Sequence, residues 1–180
     1  VAQARLYGVE SITAVEVNPA SIDLVRDRGA AAGGVYDEPT RVVIGEGRRV
    51  LASGTERYDL ITLANVVTGA AELRGAALTE NTVYTVEAFR EYLEHLTPGG
   101  SVALKLYDEL TLTRALTTAV TALVENGHAV DEAAAIGHLF AVLQTTGGQT
   151  VPLLVVRRSA FTRDEAVAAA RVAETLGWSL

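Results

Sequence analysis

Short branched-apolar runs alternate along this chain with helix-start signals. Ser11 to Val17 (SITAVEV) is the first run that predicts a strand, and it ends in Asn18-Pro19. Asparagine caps helices and proline suits the first turn, whose N–H groups have no partner inside the helix. A helix is predicted from there, with Ile22, Val25 and the neighbourhood of Leu24 turned inward, fading into Gly29 to Gly34. Arg41 to Gly45 and Asp59 to Ala64 predict second and third strands. Both are nearly continuously apolar, the pattern of parallel strands buried on both faces.

A long stretch rich in Gly, Ala and Thr then separates Asn65 from Tyr84. Loops of that length in compact domains are usually functional lids or disordered segments. Thr85 opens a predicted helix through Leu96, with Val86, Phe89, Leu93 and Leu96 at helical spacing, stopped by Pro98-Gly99-Gly100. Ser101 to Tyr107 predicts a fourth strand, and Thr111 to Glu125 a helix closed by Asn126-Gly127. Leu139 to Gln144 and Val151 to Val156 predict an antiparallel hairpin, and Thr162 to Glu165 a capping box opening the last helix. The order implies an α/β doubly wound fold, its sheet mostly parallel with one C-terminal antiparallel hairpin. A single domain over residues 1–180 is expected.

Composition narrows the classes. Half of the chain is hydrophobic (49%) and 21% is charged, enough for one sizeable core. A formal charge of −7 argues against a broad nucleic-acid surface, since Arg48-Arg49 and Arg157-Arg158 are isolated pairs. The absence of cysteine removes disulfides, iron–sulfur clusters, cysteine zinc sites and thiol nucleophiles. No apolar run approaches the roughly eighteen residues of a membrane span, and the start lacks the charged-then-hydrophobic pattern of a signal peptide. Zero methionines, and an opening Val1-Ala-Gln-Ala-Arg5 that reads as mid-helix, lead to the expectation of a piece of a longer protein.

In doubly wound sheets ligands bind outside the carboxyl ends of the strands. Glu16 ends the first strand. A carboxylate there can accept from both hydroxyls of a ribose, or it can be a solvated acid favoured by the neighbouring helix dipole. Gly45-Glu46-Gly47 ends the second strand and is open to two readings, a close approach to a flat base with Glu46 accepting from an exocyclic amine, or a plain turn. It is not a phosphate fingerprint, because Val50 holds the third glycine position, and no other glycine loop of that kind occurs. Asn65 follows the third strand, where Ala64 offers no acid, base or nucleophile. Glu80, Asn81 and Tyr84 form the one polar and aromatic group of the long loop, suited either to capping and packing or to substrate. Lys105 either snorkels from its strand or points into the cleft. His95, His128 and His138 lack metal-ligand spacing, and no metal is expected.

In their order and spacing, Ala14-Val-Glu-Val-Asn-Pro19, Val43 to Leu51 (VIGEGRRVL), Tyr58 to Leu63 (YDLITL) and Phe89 to Gly100 resemble the spermidine synthase family. Leu78 to Phe89 (LTENTVYTVEAF) resembles the spermidine synthase-like domains of larger bacterial proteins, some of them membrane-attached. The resemblance spans roughly residues 5 to 176. It implies the Rossmann-like class I AdoMet-dependent methyltransferase fold, with its first strand and Gly-rich loop missing upstream of Val1. That strand is central in the family, between those ending at Glu16 and Ala64, so without it these two do not pair.

The resemblance also implies AdoMet or decarboxylated AdoMet as co-substrate, with Glu16 on the ribose, Glu46-Gly47 near the adenine, and Asn65 with the 78–84 loop facing the acceptor. The expected activity moves an aminopropyl or methyl group to a small amine or other nucleophile, in a cytoplasmic, self-associating protein or the cytosolic domain of a membrane-attached one. Against this, the position of the family's catalytic aspartate is Ala64. Asn65, Glu80 and Tyr84 are the remaining catalytic candidates. The alternative is a catalytically inactive nucleoside-binding or structural domain; an NAD-binding domain fits Glu16 but not the glycine pattern.

Overall fold

The computed structural model describes residues 1–64 and 82–180. The chain divides into two compact units, Val1–Thr55 and Glu56–Leu180. The first unit holds helix α1 (Ala2–Leu6), strand β1 (Ile12–Glu16), helix α2 (Pro19–Arg28), strand β2 (Thr40–Ile44) and helix α3 (Gly47–Ser53). Strands β1 and β2 pair in parallel, from Ile12 opposite Thr40 to Glu16 opposite Ile44. Helix α2 begins as the Asn-Pro signal dictates, with Asn18 Oδ1 accepting from the Ala20 N–H at 3.0 Å and Pro19 in the first turn. Its buried residue is Ile22, whereas Leu24 is exposed; the predicted inward turn of Leu24 is wrong because it sits two positions from Ile22, on another side of the helix. Arg5 donates to the carbonyls of Asp37 and Glu38 and ties α1 to the loop before β2.

The second unit holds strand β3 (Tyr58–Ala64), helix α4 (Val86–Glu94), strand β4 (Leu96–Lys105), helices α5 (Glu109–Glu125) and α6 (Glu132–Ile136), strands β5 (Leu139–Thr146) and β6 (Gln149–Arg157), and helix α7 (Arg163–Thr175). Its sheet runs in the order β3-β4-β6-β5. Strands β3 and β4 are parallel, and the β5–β6 hairpin joins antiparallel through β6 and occupies one edge. Gly147 and Gly148, with φ of 60° and 79°, make the two-residue hairpin turn, a conformation that glycine reaches without strain.

As expected from the sequence, β1 and β3 do not pair with each other, and the strands accordingly lie in two sheets rather than in one parallel run of four. The expected burial on both faces is absent. Along β3, Ile61 and Leu63 are part-buried while Leu60, Thr62 and Ala64 alternate with them on an exposed face. An edge strand with a neighbour on one side keeps that alternation.

The core of this unit gathers where α4 and α5 lie on the sheet. Phe89, Leu93, Leu96, Val102, Leu104 and Leu154 are fully buried. Helix α5 meets them with Ala115, Ala119 and Ala122, small side chains on one face that allow close approach. Arg90 spans from α4 to the end of α5, donating to Asn126 Oδ1 at 3.0 Å and pairing with Glu125 at 2.7 Å.

Helix α4 stops at Glu94, not at Leu96, and β4 already runs through Pro98-Gly99-Gly100. The Pro-Gly-Gly run therefore does not end a helix; it fills an interruption of the strand ladder. Tyr58 pairs with Leu96 but Leu60 pairs with Ser101, so residues 97–100 bulge out of register. A proline, having no N–H, is tolerated at such a bulge. Ser159 donates to the Pro98 carbonyl at 2.6 Å and Arg158 to the Leu96 carbonyl at 2.6 Å, satisfying what the ladder leaves open.

Gly100 is required there by close contact: a Cβ at this position would lie 2.8 Å from the Tyr58 carbonyl and 3.1 Å from both Leu96 Cβ and Thr97 N. Gly100→Ala is expected to destabilise the chain by about 1–3 kcal/mol, the usual range for overpacking against backbone. Urea unfolding checks it; an unchanged midpoint would show that the bulge relaxes freely.

Candidate functional site

In the first unit the two parallel strands end level with each other, and the Gly45 N–H donates to the Glu16 carbonyl at 3.0 Å. The Glu16 side chain folds over this end. Its Oε1 accepts from the Asn18 N–H at 2.8 Å, which aims the carboxylate at the mouth of the strand pair. Oε2 has no hydrogen-bond partner among the described residues. An ionised carboxylate has about four acceptor positions, so this oxygen can still take a ligand hydroxyl.

Glu46 is differently engaged. It is exposed and caps α3, with Oε1 accepting from the Arg48 N–H at 2.9 Å and Oε2 from the Arg49 N–H at 2.8 Å. The turn reading of Gly45-Glu46-Gly47 thus has a structural basis. A Cβ on Gly45 would stand 2.8 Å from Val50 Cγ2, so glycine lets α3 fold close to the strand end, while Gly47 has open space around it. As a cap, Glu46→Ala is expected to cost about 0.5–2 kcal/mol and Glu46→Asn much less, since asparagine is a strong N-cap. Paired urea melts of the two variants decide it: equal losses would argue against the capping role.

In the second unit, β3 and β4 also end level, Ala64 opposite Lys105. Both are exposed. Beyond Lys105, Asp108 caps α5 by accepting from the Thr111 N–H at 2.7 Å, and that hydrogen bond holds its carboxyl below the ordinary value. Tyr84 closes a short 3-10 turn, Thr82–Tyr84, and is buried. Burial first, and the neighbouring Tyr107 second, push its phenol pKa upward, so it remains a protonated donor at neutral pH. The loop in front of α4 is pinned by Tyr92, whose hydroxyl donates to the Val83 carbonyl at 3.1 Å.

An open cavity of about 420 Å³ lies at this end of the sheet, lined by Lys105, Leu106, Tyr107, Gln149, Thr150 and Val151. Lys105 therefore borders a depression and is itself exposed. Tyr107, Gln149 and Thr150 are additions that sequence reasoning missed. They meet only through the antiparallel register of β4 with β6, Lys105 opposite Leu153, which no local motif encodes. Asn65, Glu80 and Asn81 lie outside the described residues. His95 and His138 each direct Nδ1 at a backbone carbonyl, of Glu91 at 2.9 Å and of Arg157 at 3.1 Å. Among the described residues no helix is long and apolar enough to cross a membrane.

No protein-family model matches the chain, and no curated protein matches it. Solved structures do. A probable spermidine synthase from Corynebacterium glutamicum superposes with a TM-score of 0.62 at 20% identity, covering 95% of this chain and 56% of that one. A spermidine synthase in complex with the transition state analogue AdoDATO gives a TM-score of 0.58 at 14% identity, covering 87% and 50%. Human methyltransferase-like protein 13, solved with SAH, gives 0.59 at 18% identity, covering 92% and 70%.

The chain thus has a Rossmann-like α/β fold. More particularly, it is the fold that spermidine synthases share with class I AdoMet-dependent methyltransferases. The chain spans about half the length of the spermidine synthase structures it matches.

Proposed function

We propose that this chain carries an AdoMet-type transferase domain in which Glu16 binds the ribose of a sulfonium donor. The observation that carries the reading is the open Oε2 of a carboxylate fixed at the mouth of β1. Support comes from the fold, two of whose solved examples hold AdoDATO and SAH. Glu46 is a weaker donor contact, because both of its oxygens already accept backbone N–H groups.

In the proposed reaction a nucleophile's lone pair forms a bond to the carbon beside the sulfonium. The carbon–sulfur pair returns to sulfur, leaving a neutral thioether, and the nucleophile's proton passes to a base or to solvent. The transferred group is aminopropyl or methyl, and the acceptor a small amine or other nucleophile. Ala64, the last residue of β3, cannot take that proton and so does not serve as general base.

A second reading, a nucleoside-binding or structural domain without turnover, is favoured by that same Ala64. Calorimetry with SAH and methylthioadenosine, alongside mass spectrometry for thioether release from AdoMet and decarboxylated AdoMet, separates the two. Binding with release supports the transferase; binding without release supports the second reading. No binding of either thioether would sink the donor site altogether.

A further inference from the structure

The cavity at the carboxyl end of β4 has a chemical character unlike that expected for a cationic amine. Among the described residues its one charged wall residue is Lys105, whose ammonium has no ion-pair or hydrogen-bond partner there. The opposite strand end presents Ala64 in place of an acid. The nearest acid along the chain, Asp108, is held at the first turn of α5 by the Thr111 N–H. The remaining polar lining, from Tyr107, Gln149 and Thr150, consists of hydroxyl and amide groups, all able to donate hydrogen bonds.

A second ammonium brought into such a cavity would meet an unpaired like charge and, among the described residues, no carboxylate. An anion would meet an unpaired cation beside the Gln149 amide, a combination that gives charge-assisted hydrogen bonds. Leu106 and Val151 supply apolar wall for a short carbon chain. Volume is adequate for a small molecule.

We propose that this cavity binds the anionic end, a carboxylate or a phosphate, of the small molecule that accepts the transferred group. Its role as acceptor site rests on the transferase reading; its selectivity for an anion rests on Lys105 and the lining alone.

The test uses four probes that share an amine and differ at the other end: 4-aminobutyrate, O-phosphoethanolamine, putrescine and butylamine. Each is titrated into the ¹⁵N-labelled protein at low salt, and the amide resonances of Tyr107 and Thr150 are followed. One or both anionic probes are expected to shift these resonances saturably, and putrescine and butylamine to leave them in place. Which anionic probe binds tighter identifies carboxylate or phosphate as the preferred group. Lys105→Gln is expected to weaken anion binding at least about tenfold, the loss of one charge-assisted contact. Lys105→Arg should retain it.

Putrescine binding as strongly as the anions would overturn the proposal, and so would silence from all four probes or an unchanged affinity in Lys105→Gln. Lys105 is exposed, so these variants fold and the comparison stays interpretable. Thioether binding, measured separately, keeps the two readings apart. Anion binding without thioether binding retains the cavity and removes the transferase; the reverse retains the donor site and removes this assignment.

Discussion

Phe89→Ala is expected to remove about 3–5 kcal/mol of stability, the range for deleting a buried aromatic ring. Phe89 is fully buried on α4, with its ring edge-on to Tyr92 at 5.9 Å between centroids and 74° between planes. Around it stand Leu93, Leu96 and Leu104, all fully buried. Truncation removes both the ring's transfer free energy and its contacts, and a cavity among branched side chains closes only in part. Against a total stability of about 5–15 kcal/mol, that loss decides whether the second unit stays folded on warming. Leu110→Ala is the matched control: Leu110 is 73% exposed, and its loss should stay within about 0.5 kcal/mol. Urea unfolding followed by circular dichroism reads both. A Phe89→Ala loss below about 1 kcal/mol would show that α4 does not seat its ring in this core.

The same helix shows what local sequence can and cannot specify. Its start was legible, because Thr85 accepts from the Ala88 N–H at 3.2 Å as a capping threonine should. Its end was not. The pattern Phe89, Leu93, Leu96 keeps helical spacing beyond Glu94, yet Leu96 is buried as the first residue of β4. Burial demands an apolar residue in either conformation, so the periodicity ran on past the real boundary. Pro98-Gly99-Gly100 then mimicked a helix stop, although its cause is a bulge opposite Tyr58 that only the paired strand reveals. Capping boxes do not depend on such partners, and the one at Thr162 and Glu165 stands as expected, at 2.8 Å and 3.3 Å for its reciprocal bonds.

The candidate site divides along the same line. Glu16 and Glu46 were visible because strand ends and glycine turns are local features. What separates them is not local: Glu46 spends both oxygens on a helix start, whereas Glu16 keeps one open. The cavity around Lys105 was invisible because Tyr107 and Thr150 lie far apart in the chain. They line one wall only after β6 pairs with β4. The strand periodicity likewise misled about burial, since apolar content alone does not reveal that β3 is an edge strand.

Glu16→Gln carries the largest expected change in binding. A ribose presents two adjacent hydroxyls, and a carboxylate accepts from both at once. Glutamine offers one acceptor oxygen and replaces the other by a donor, so one charge-assisted bond is lost and the second weakened. Each bond of that kind is worth about 1.5–3 kcal/mol, which converts to roughly 10- to 100-fold in affinity for SAH or methylthioadenosine. The substitution leaves the fold in place for a specific reason. The amide oxygen can still accept from the Asn18 N–H, the bond that now orients Oε1 at 2.8 Å. Stability should therefore change by no more than about 0.5 kcal/mol. Parallel calorimetry and urea melts separate the effects: lost affinity with an unchanged melt supports ribose binding. An unchanged affinity would instead make Glu16 a solvated acid at the head of α2, its placement explained by the helix dipole alone.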